Sequence, residues 1–330
     1  MTGDIEMKLL NFLRAAVLAV SGCALSAGAQ TFPGKTVSLA VPYPPGGSGD
    51  YMARLIQPGY QKQLGQTVIV ENVSGASGAL AAQKVLTAPP DGHTQLLGTP
   101  MDLMLGPLAL SAVKHKPEDF RLAGMISTGS LVLLIPGGIP AHNIDEFIAW
   151  AKGRKSISYG STGHGSLFHL VGEKFASVTG LQMVNVPYKG GSQFFADIVG
   201  GQVDMAFWTL SGPVLGLVKQ GRLRAIGITA REAHPDLPDV LPMHKHALLK
   251  DFTFDLWMGA LVTKSTPEPI VAAIHRAMAE VVQLPNVKKG IVETGAQTVK
   301  PMNQAQLDKF YADENDRYRE LARSINLQRQ

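Results

Sequence analysis

Short apolar runs alternate with glycine-rich turns and helical patterns in the early part of the chain. Residues 36–41 (T-V-S-L-A-V), 67–71 (T-V-I-V-E) and 94–98 (T-Q-L-L-G) are rich in β-branched and aliphatic side chains and are bounded by turn formers, which is typical of short buried strands. Helical patterns follow the first two runs. This alternation of strands and helices with short connections predicts a parallel sheet in an α/β domain.

The alternation starts again further along the chain, which predicts a second α/β unit. Two apolar strands are expected within residues 120–135, and a strand at 156–159 leads into a glycine-rich turn and a helical pattern. Further strands are expected near residues 184–186 and 221–229. The segment 252–262 looks extended, and we expect it to return to the first unit.

Capping signals predict where several helices begin. Asn143 followed by Glu146, and Asn303 followed by Gln306, have the spacing of a capping box. Pro267 is expected at the first position of a long helix, where its missing N–H has no cost.

Composition agrees with a globular protein of two domains and narrows the class of ligand. The chain has 330 residues, of which 45% are hydrophobic and 17% are charged. The formal net charge of +4 is spread along the chain, without a Lys/Arg block or aromatic residues between basic ones, so no nucleic-acid partner is expected. A mild positive balance is compatible with an anionic small ligand.

The N-terminus predicts export. Residues 1–29 combine Lys8 and Arg14 with an apolar core that is too short to span a bilayer. The tripeptide A-G-A at 27–29 fits a small-x-small cleavage site, which places the mature start near Gln30 and the protein in the periplasm.

A second interpretation of the leader concerns Cys23. The sequence V-S-G-C at 20–23 resembles a lipoprotein processing box, in which Cys23 is lipidated. Simple secretion is favoured, because the A-G-A site directly precedes the first strand-like run. Cys23 is the only cysteine, so no disulfide or cysteine chemistry is expected in the mature domain. The start codon is either Met1 or Met7.

The stretch V-P-Y-P-P-G-G-S-G-D at residues 41–50 joins the first strand to the first helix. Gly46 and Gly47 allow a tight turn and bring backbone N–H groups close to a ligand, and Asp50 is expected to cap the helix. A strand, a glycine turn and a helix N-terminus together predict an anion site, since unpaired N–H groups and the helix dipole point at one spot. An ordinary turn without a ligand is the alternative.

The turn G-S-T-G-H-G-S at residues 160–166 repeats this arrangement in the second unit. Ser161 and Thr162 offer hydroxyl donors to a carboxylate. Ser166 either contacts the ligand or only caps a helix. His164 either donates to an anion when protonated or is an exposed loop residue. Two such turns predict a cleft in which both units direct helix N-termini at one ligand.

A series of motifs in order over nearly the whole mature chain carries a family resemblance. They are V-P-Y-P-P-G-G-S-G-D, V-E-N-V-S-G-A-S-G, P-D-G-H-T-Q-L-L, Y-G-S-T-G-H-G-S-L-F-H-L, V-P-Y-K-G-G, G-G-Q-V-D-M-A-F, G-R-L-R-A-I-G-I-T and T-P-E-P-I-V. With them the chain resembles the substrate-binding proteins of tripartite tricarboxylate transporters, often called the Bug family.

The resemblance implies an α/β fold of the type II periplasmic-binding-protein class, with two lobes and a ligand cleft between them. Lobe 1 would comprise residues 30–128 and 255–330, and lobe 2 residues 129–254. The resemblance also implies a carboxylate-bearing ligand and a membrane permease as partner. We expect a monomer without a cofactor.

Trp208 is a departure from the family pattern. It follows V-D-M-A-F at a position where relatives often carry Asp, so an apolar or aromatic part of the ligand is expected there. Together with the two turns, this gives the expected ligand-binding residues, which are Tyr43, Gly46, Gly47, Ser48, Asp50, Thr99, Ser161, Thr162, Gly163, His164, Ser166, Tyr188 and Trp208.

Other function classes have weaker support. A Ser–His hydrolase using Ser161 or Ser166 lacks the G-x-S-x-G spacing and a recognisable acid partner. His164 and His169, or His169 and Glu173, have spacings that suit a metal, but no H-E-x-x-H motif occurs. A ligand-sensing partner of a signalling protein is the other alternative. The sequence therefore predicts neither catalytic residues nor a metal site.

Overall fold

The computed structural model describes residues 32–188 and 191–330. The predicted targeting segment, with its cleavage site and Cys23, lies outside these residues. Within the described part, no helix has the length and apolar character needed to cross a bilayer.

The first three strands lie side by side in a parallel arrangement, as their alternation with helices predicts. Strand β1 (Val37–Val41) pairs with β2 (Val68–Asn72) on one side and with β3 (Thr94–Gly98) on the other. Helix α1 (Ser48–Leu64) connects β1 to β2, and α2 (Ala79–Thr87) connects β2 to β3. The carboxyl ends of the strands and the N-termini of these helices therefore meet at one edge of the sheet.

Residues 120–135 lie in one strand, so the expectation of two strands was wrong. Strand β4 (Phe120–Pro136) has 17 residues. Its middle, S-T-G-S at 127–130, has the small polar composition of a turn. It stays extended because it pairs with another strand, β9 (Asp255–Thr263), as far as Ser130.

Strand β4 is shared by two groups of strands. Its N-terminal part pairs with β9, which also pairs with β3. Its C-terminal part pairs with β7 (Met205–Thr209) and β8 (Leu223–Ile228). Strand β7 pairs with β5 (Ile157–Ser161), and β5 with β6 (Met183–Pro187). The strand order is thus β2-β1-β3-β9-β4-β7-β5-β6, and the predicted lobe boundary at 128/129 falls inside β4.

The remaining elements cover the strands. A π-helical turn (Met101–Leu105) leads into the short helix α3 (Gly106–Ala109), and β10 (Gln297–Thr298) pairs with β4. The later helices are α3 (Gly106–Ala109), α4 (Ile144–Lys152), α5 (Leu167–Thr179), α6 (Gly191–Val199), α7 (Gly212–Lys219), α8 (Glu268–Val281), α9 (Pro285–Glu293) and α10 (Gln304–Ser324). The predicted return of the chain to the first unit near residue 252 is confirmed by β9.

Both predicted N-caps are confirmed, and the one at Asn303 is a complete capping box. The Asn143 side chain accepts the Glu146 N–H, and the Asn303 side chain accepts the Gln306 N–H, each at 2.9 Å. Pro267 was predicted to be the first residue of its helix, and this was wrong by one residue. Helix α8 begins at Glu268, directly after Pro267.

Gly259 in β9 gives a test of how closely the shared strands pack. A Cβ there would stand 2.8 Å from the carbonyl oxygen of Gly124 in β4. We expect Gly259→Ala to lower the free energy of unfolding by about 1–3 kcal/mol, because the two strands must shift apart. Chemical denaturation measures this change. Gly129→Ala is the matched control, since a Cβ there meets no atom within 4 Å, and equal losses in the two variants would contradict the explanation.

Candidate ligand-binding cleft

The turn after β1 is held in place by Asp50. Helix α1 begins at Ser48, so Asp50 is its third residue and the prediction of Asp50 as the N-cap was wrong. Its carboxylate accepts the Gly46 N–H at 2.9 Å and the Asn72 amide at 3.0 Å, and it pairs with Arg54 at 3.0 Å. Hydrogen bonding from Arg54 is the main reason why the pKa of Asp50 is lowered to about 2. Asp50 therefore fixes the shape of the turn.

Backbone N–H groups at the start of α1 have no acceptor among the described residues. The Gly47 N–H donates to the Pro44 carbonyl at 3.3 Å, whereas the N–H groups of Ser48 and Gly49 have no acceptor among the described residues. Both lie in the first turn of α1, where the helix dipole adds partial positive charge. The Tyr43 ring covers Gly49 so closely that a Cβ at this position would overlap it, so the approach requires glycine.

The turn after β5 is built in a similar way. The hydroxyl of the buried Ser161 accepts the Gly163 N–H at 3.1 Å. Ser166 caps α5 by accepting the His169 N–H at 3.2 Å. The His169 ring accepts the Gly165 N–H at 3.2 Å, and burial lowers the pKa of this imidazole. These bonds hold the second turn as Asp50 holds the first.

The two turns border one cavity, which we call the turn cavity. In the second turn, the N–H groups of Thr162, His164 and Leu167 have no acceptor within the described ranges. Gly165 packs against Ala109 so closely that a Cβ on Gly165 would overlap the alanine side chain. The cavity has a volume of about 300 Å³, and its lining includes Tyr43, Met101, Asp102, Thr162, His164 and Ser166.

A second cavity adjoins the turn cavity and shares Tyr43 and Met101 with it. It lies beside the shared strands β4 and β9, so we call it the strand cavity. Its volume is about 290 Å³, and its lining includes Ser48, Thr99, Ser130, Phe168, Leu210 and Leu256. The two cavities together form the cleft. A larger cavity of about 600 Å³ lies between residues 230–236 and 292–302 and shares Thr128, Gly129, Ser130 and Ala296 with the strand cavity. Its lining contains none of the predicted ligand residues.

Asp102 is a buried carboxyl in the wall of the cleft that sequence analysis missed. Its Oδ2 atom accepts the Tyr43 and Thr99 hydroxyls, each at 2.8 Å, and the Thr99 N–H at 3.0 Å. Burial raises the pKa of Asp102 to about 6, although these hydrogen bonds act in the opposite direction. The available signal was an acidic residue shortly after the end of a predicted strand, beside the turn former Pro100.

Trp208 lies in an aromatic stack next to the cleft. Its ring is stacked on Phe168 and Phe194, with ring centroids 4.6 Å and 4.3 Å apart. Phe168, which the sequence analysis did not select, is the ring of this stack that lines the strand cavity. Tyr188 belongs to the same aromatic cluster and donates its hydroxyl to Asp197 at 2.9 Å.

The structure thus separates the predicted ligand residues by position. The cleft lining contains Tyr43, Ser48, Thr99, Thr162, His164 and Ser166. The lining of these two cavities does not include the other predicted residues, which are Gly46, Gly47, Asp50, Ser161, Gly163, Tyr188 and Trp208. The His164 ring is also within hydrogen-bond distance, 3.0 Å, of the Gln328 carbonyl. Direct contact of any of these residues with a ligand stays a prediction.

The two serine hydroxyls that the hydrolase alternative would use are engaged with the backbone. The hydroxyls of Ser161 and Ser166 accept backbone N–H groups, and neither bonds to an imidazole in the part of the chain described. Among the same residues, no group of three or more His, Cys, Asp and Glu side chains could hold a metal ion.

Comparison with known proteins agrees with the fold and the cleft. Residues 52–327 match the family model for the tripartite tricarboxylate transporter family receptor. Protein BugT of Bordetella pertussis is 29% identical over 309 residues, which cover 93% of this chain and 94% of BugT. MatC of Rhodopseudomonas palustris, solved with malate, is 27% identical with a TM-score of 0.72, covering 88% of this chain and 99% of MatC. An R. palustris protein solved with adipate is 25% identical with a TM-score of 0.75, covering 91% of this chain and 100% of that one.

The fold is that of a periplasmic binding protein with two α/β lobes and a cleft between them. The chain belongs to the receptors of the tripartite tricarboxylate transporter family, and within them to the Bug proteins. The predicted fold class and family are therefore confirmed. This is a family of solute-binding receptors and not of enzymes, and the comparisons give no support to the hydrolase or sensor alternatives.

Asp102 makes the stability of the protein depend on pH in a defined direction. An unfolded Asp titrates near about 3.9, whereas the pKa of folded Asp102 is raised to about 6, so the folded state binds this proton more tightly. The free energy of unfolding, relative to that of Asp102→Asn, should fall by on the order of 2–3 kcal/mol as pH rises from about 4 to about 7. Above that range the difference should stay level.

Denaturation of both proteins across this pH range measures the difference. Subtracting the free energy of unfolding of Asp102→Asn removes the contribution of other titrating groups. Glu314 is one of them, since burial raises its pKa to about 7. A difference that grows with rising pH, or that does not change, would contradict the raised pKa of Asp102.

Proposed function

We propose that this protein is a periplasmic receptor that binds a small carboxylate-bearing ligand between its two lobes and delivers it to a membrane permease of the tripartite tricarboxylate type. The proposal rests on the chemistry of the cleft and on the ligands of related structures. MatC was solved with malate and another R. palustris relative with adipate, and both ligands carry carboxylates.

The observation that carries the proposal is the pair of turns with free N–H groups. Ser48 and Gly49 begin α1 and Leu167 begins α5, so two helices direct their positive dipole ends toward the cleft. Free N–H groups at a helix N-terminus attract anions, and a carboxylate supplies several oxygen lone pairs at once. No Lys or Arg is among the described residues that line the cleft, so these N–H groups would carry the main attraction for the ligand.

The shared strands support a division into two lobes. We assign residues 30–128 and 255–330 to lobe 1 and residues 129–254 to lobe 2, joined through β4 and β9. A ligand that contacts both turns binds best when the turns face each other, so it favours the closed arrangement. The permease would recognise this closed form.

The leader is part of the same proposal. Residues 1–29 would direct export, followed by cleavage near Gln30 or by lipid attachment at Cys23. The receptor would act as a monomer, since one chain supplies both turns of the cleft.

Thermal unfolding of the exported protein tests the carboxylate claim. The protein is expressed with its leader and freed of any co-purified ligand by unfolding and refolding. A ligand that binds only the folded state adds about 2.7 kcal/mol of stability at a hundredfold excess over Kd. We expect a raised midpoint with one class of carboxylate and none with the matching uncharged amides. No shift with any mono-, di- or tricarboxylate, acidic amino acid or aromatic acid would overturn the proposal.

Ser48→Pro removes one proposed donor while preserving the helix. Proline is favoured at the first helical position, and Gly47 before it is already extended, with φ −77° and ψ 170°. Ser48→Ala, which loses the hydroxyl but keeps the N–H, is the matched control. We expect Ser48→Pro to bind the carboxylate about ten- to a hundredfold more weakly than Ser48→Ala, as a hydrogen bond to a charged group contributes about 1.5–3 kcal/mol. Equal affinities in calorimetry would argue against the N–H as a ligand donor.

A further inference from the structure

One wall of the cleft offers hydrogen-bond acceptors and no hydroxyl donors. Tyr43 and Thr99 are each 2.8 Å from Asp102 Oδ2 and 2.8 Å from each other. Thr99 donates to Asp102, and Tyr43 donates either to Asp102 or to Thr99. In both arrangements the two hydroxyl protons are used within this group. The Tyr43 oxygen keeps its lone pairs, whereas the Thr99 oxygen also accepts the Met101 N–H at 3.3 Å and keeps a free lone pair only when Tyr43 donates to Asp102. Both residues line the strand cavity, so a ligand meets acceptors there.

The same wall carries negative charge. Asp102 is only 3% exposed and lines the turn cavity, directly behind the two hydroxyls. A carboxylate placed against Tyr43 would meet a like charge and oxygen lone pairs, with no Lys or Arg among the described lining residues to offset the repulsion. A hydroxyl or an ammonium group would instead find an acceptor.

The rest of the strand cavity is mostly apolar, although its lining also contains the hydroxyl residues Ser48, Ser127, Thr128, Ser130, Thr209 and Thr294. Its lining includes Met52, Met101, Phe168, Leu256 and Met258. These side chains suit a hydrocarbon chain or ring, whose removal from water favours binding. The cleft therefore offers backbone donors at the helix N-termini, an apolar lining, and acceptors at Tyr43 and Thr99.

We propose that the cleft selects a monocarboxylate with a hydrogen-bond donor, a hydroxyl or an ammonium group, at its other end, in preference to a ligand with a second carboxylate there. The inference rests on the proposed function, because the free N–H groups must hold the one carboxylate. Tyr43 and Thr99 accept from the donor, and Asp102 fixes the direction of their protons and supplies the negative charge.

Two matched series of acids test this selectivity. Hexanoate, 6-hydroxyhexanoate, 6-aminohexanoate and adipate differ only at the far end, and butanoate, 4-hydroxybutanoate, 4-aminobutanoate and succinate form a shorter series. Each is titrated calorimetrically into the exported protein, freed of co-purified ligand, at a pH well above the pKa of Asp102. We expect the hydroxyl and ammonium members of at least one series to bind about five- to tenfold more tightly than the plain acid. The dicarboxylate should bind more weakly than either.

Variants separate the role of the Tyr43 hydroxyl from that of the Asp102 charge. Tyr43→Phe removes an acceptor, and the advantage of the hydroxyl member should fall to about twofold or less. Asp102→Asn removes the charge, so the dicarboxylate should gain about tenfold relative to the plain acid. Tyr60→Phe is the matched control, because this buried hydroxyl donates to Gln95 at 2.9 Å and does not line the cleft. Its ranking of ligands should equal that of the wild type.

The outcomes distinguish this inference from the proposed function. If acids bind, but the plain acid or the dicarboxylate binds as tightly as the hydroxyl member in both series, the selectivity is wrong and carboxylate binding stands. If no carboxylate binds in these series or in the wider thermal-shift panel, the proposed function itself is wrong. An unchanged ranking in Tyr43→Phe also overturns the inference, and this titration decides the question even where Asp102→Asn fails to fold.

Discussion

Main-chain pairing between β4 and β9 is the constraint on which the rest of the structure depends. The ladder runs from Phe120 opposite Thr263 to Ser130 opposite Asp255, and β4 then continues into its pairing with β7 and β8. The C-terminal part of the chain reinforces this region, since the Tyr318 hydroxyl donates to the Asp255 carbonyl at 3.0 Å. Because both groups of strands share β4, the turns that follow β1 and β5 are brought to the same cleft.

Side-chain hydrogen bonds decide which N–H groups of those turns remain free. Asp50 accepts the Gly46 N–H and Ser161 accepts the Gly163 N–H, so one N–H group of each turn is satisfied by a nearby side chain. The N–H groups of Ser48 and Thr162 have no such acceptor among the described residues. The polar side chains of the turns thus act mainly on the backbone, and the backbone is left to bind the ligand. The Asp50 carboxylate lies next to a proposed anion site, but its charge is balanced by Arg54 and by the hydrogen bonds that it accepts within the turn.

Local patterns predicted much of this architecture, and long-range packing determined what they missed. Strand β3 has the predicted bounds of 94–98, and Asn143 and Asn303 both cap their helices, because adjacent residues decide these features. Only Asn303 forms the complete capping box. The continuity of β4 depends on a partner strand more than a hundred residues away, so S-T-G-S looked like a turn. Asp102 and Phe168 belong to the cleft through contacts with distant elements. The orientation of Trp208 was likewise set by aromatic rings on two helices, which spacing alone does not reveal.

The central claim is that backbone N–H groups of both turns hold the ligand carboxylate. A crystal structure with a carboxylate that raises the midpoint of thermal unfolding tests it most directly. We predict carboxylate oxygens within about 2.7–3.2 Å of the Ser48 or Gly49 nitrogen and of at least one nitrogen among Thr162, His164 and Leu167. A carboxylate held by side-chain cations, for example in the larger cavity beside Arg231 and Lys300, would contradict the account.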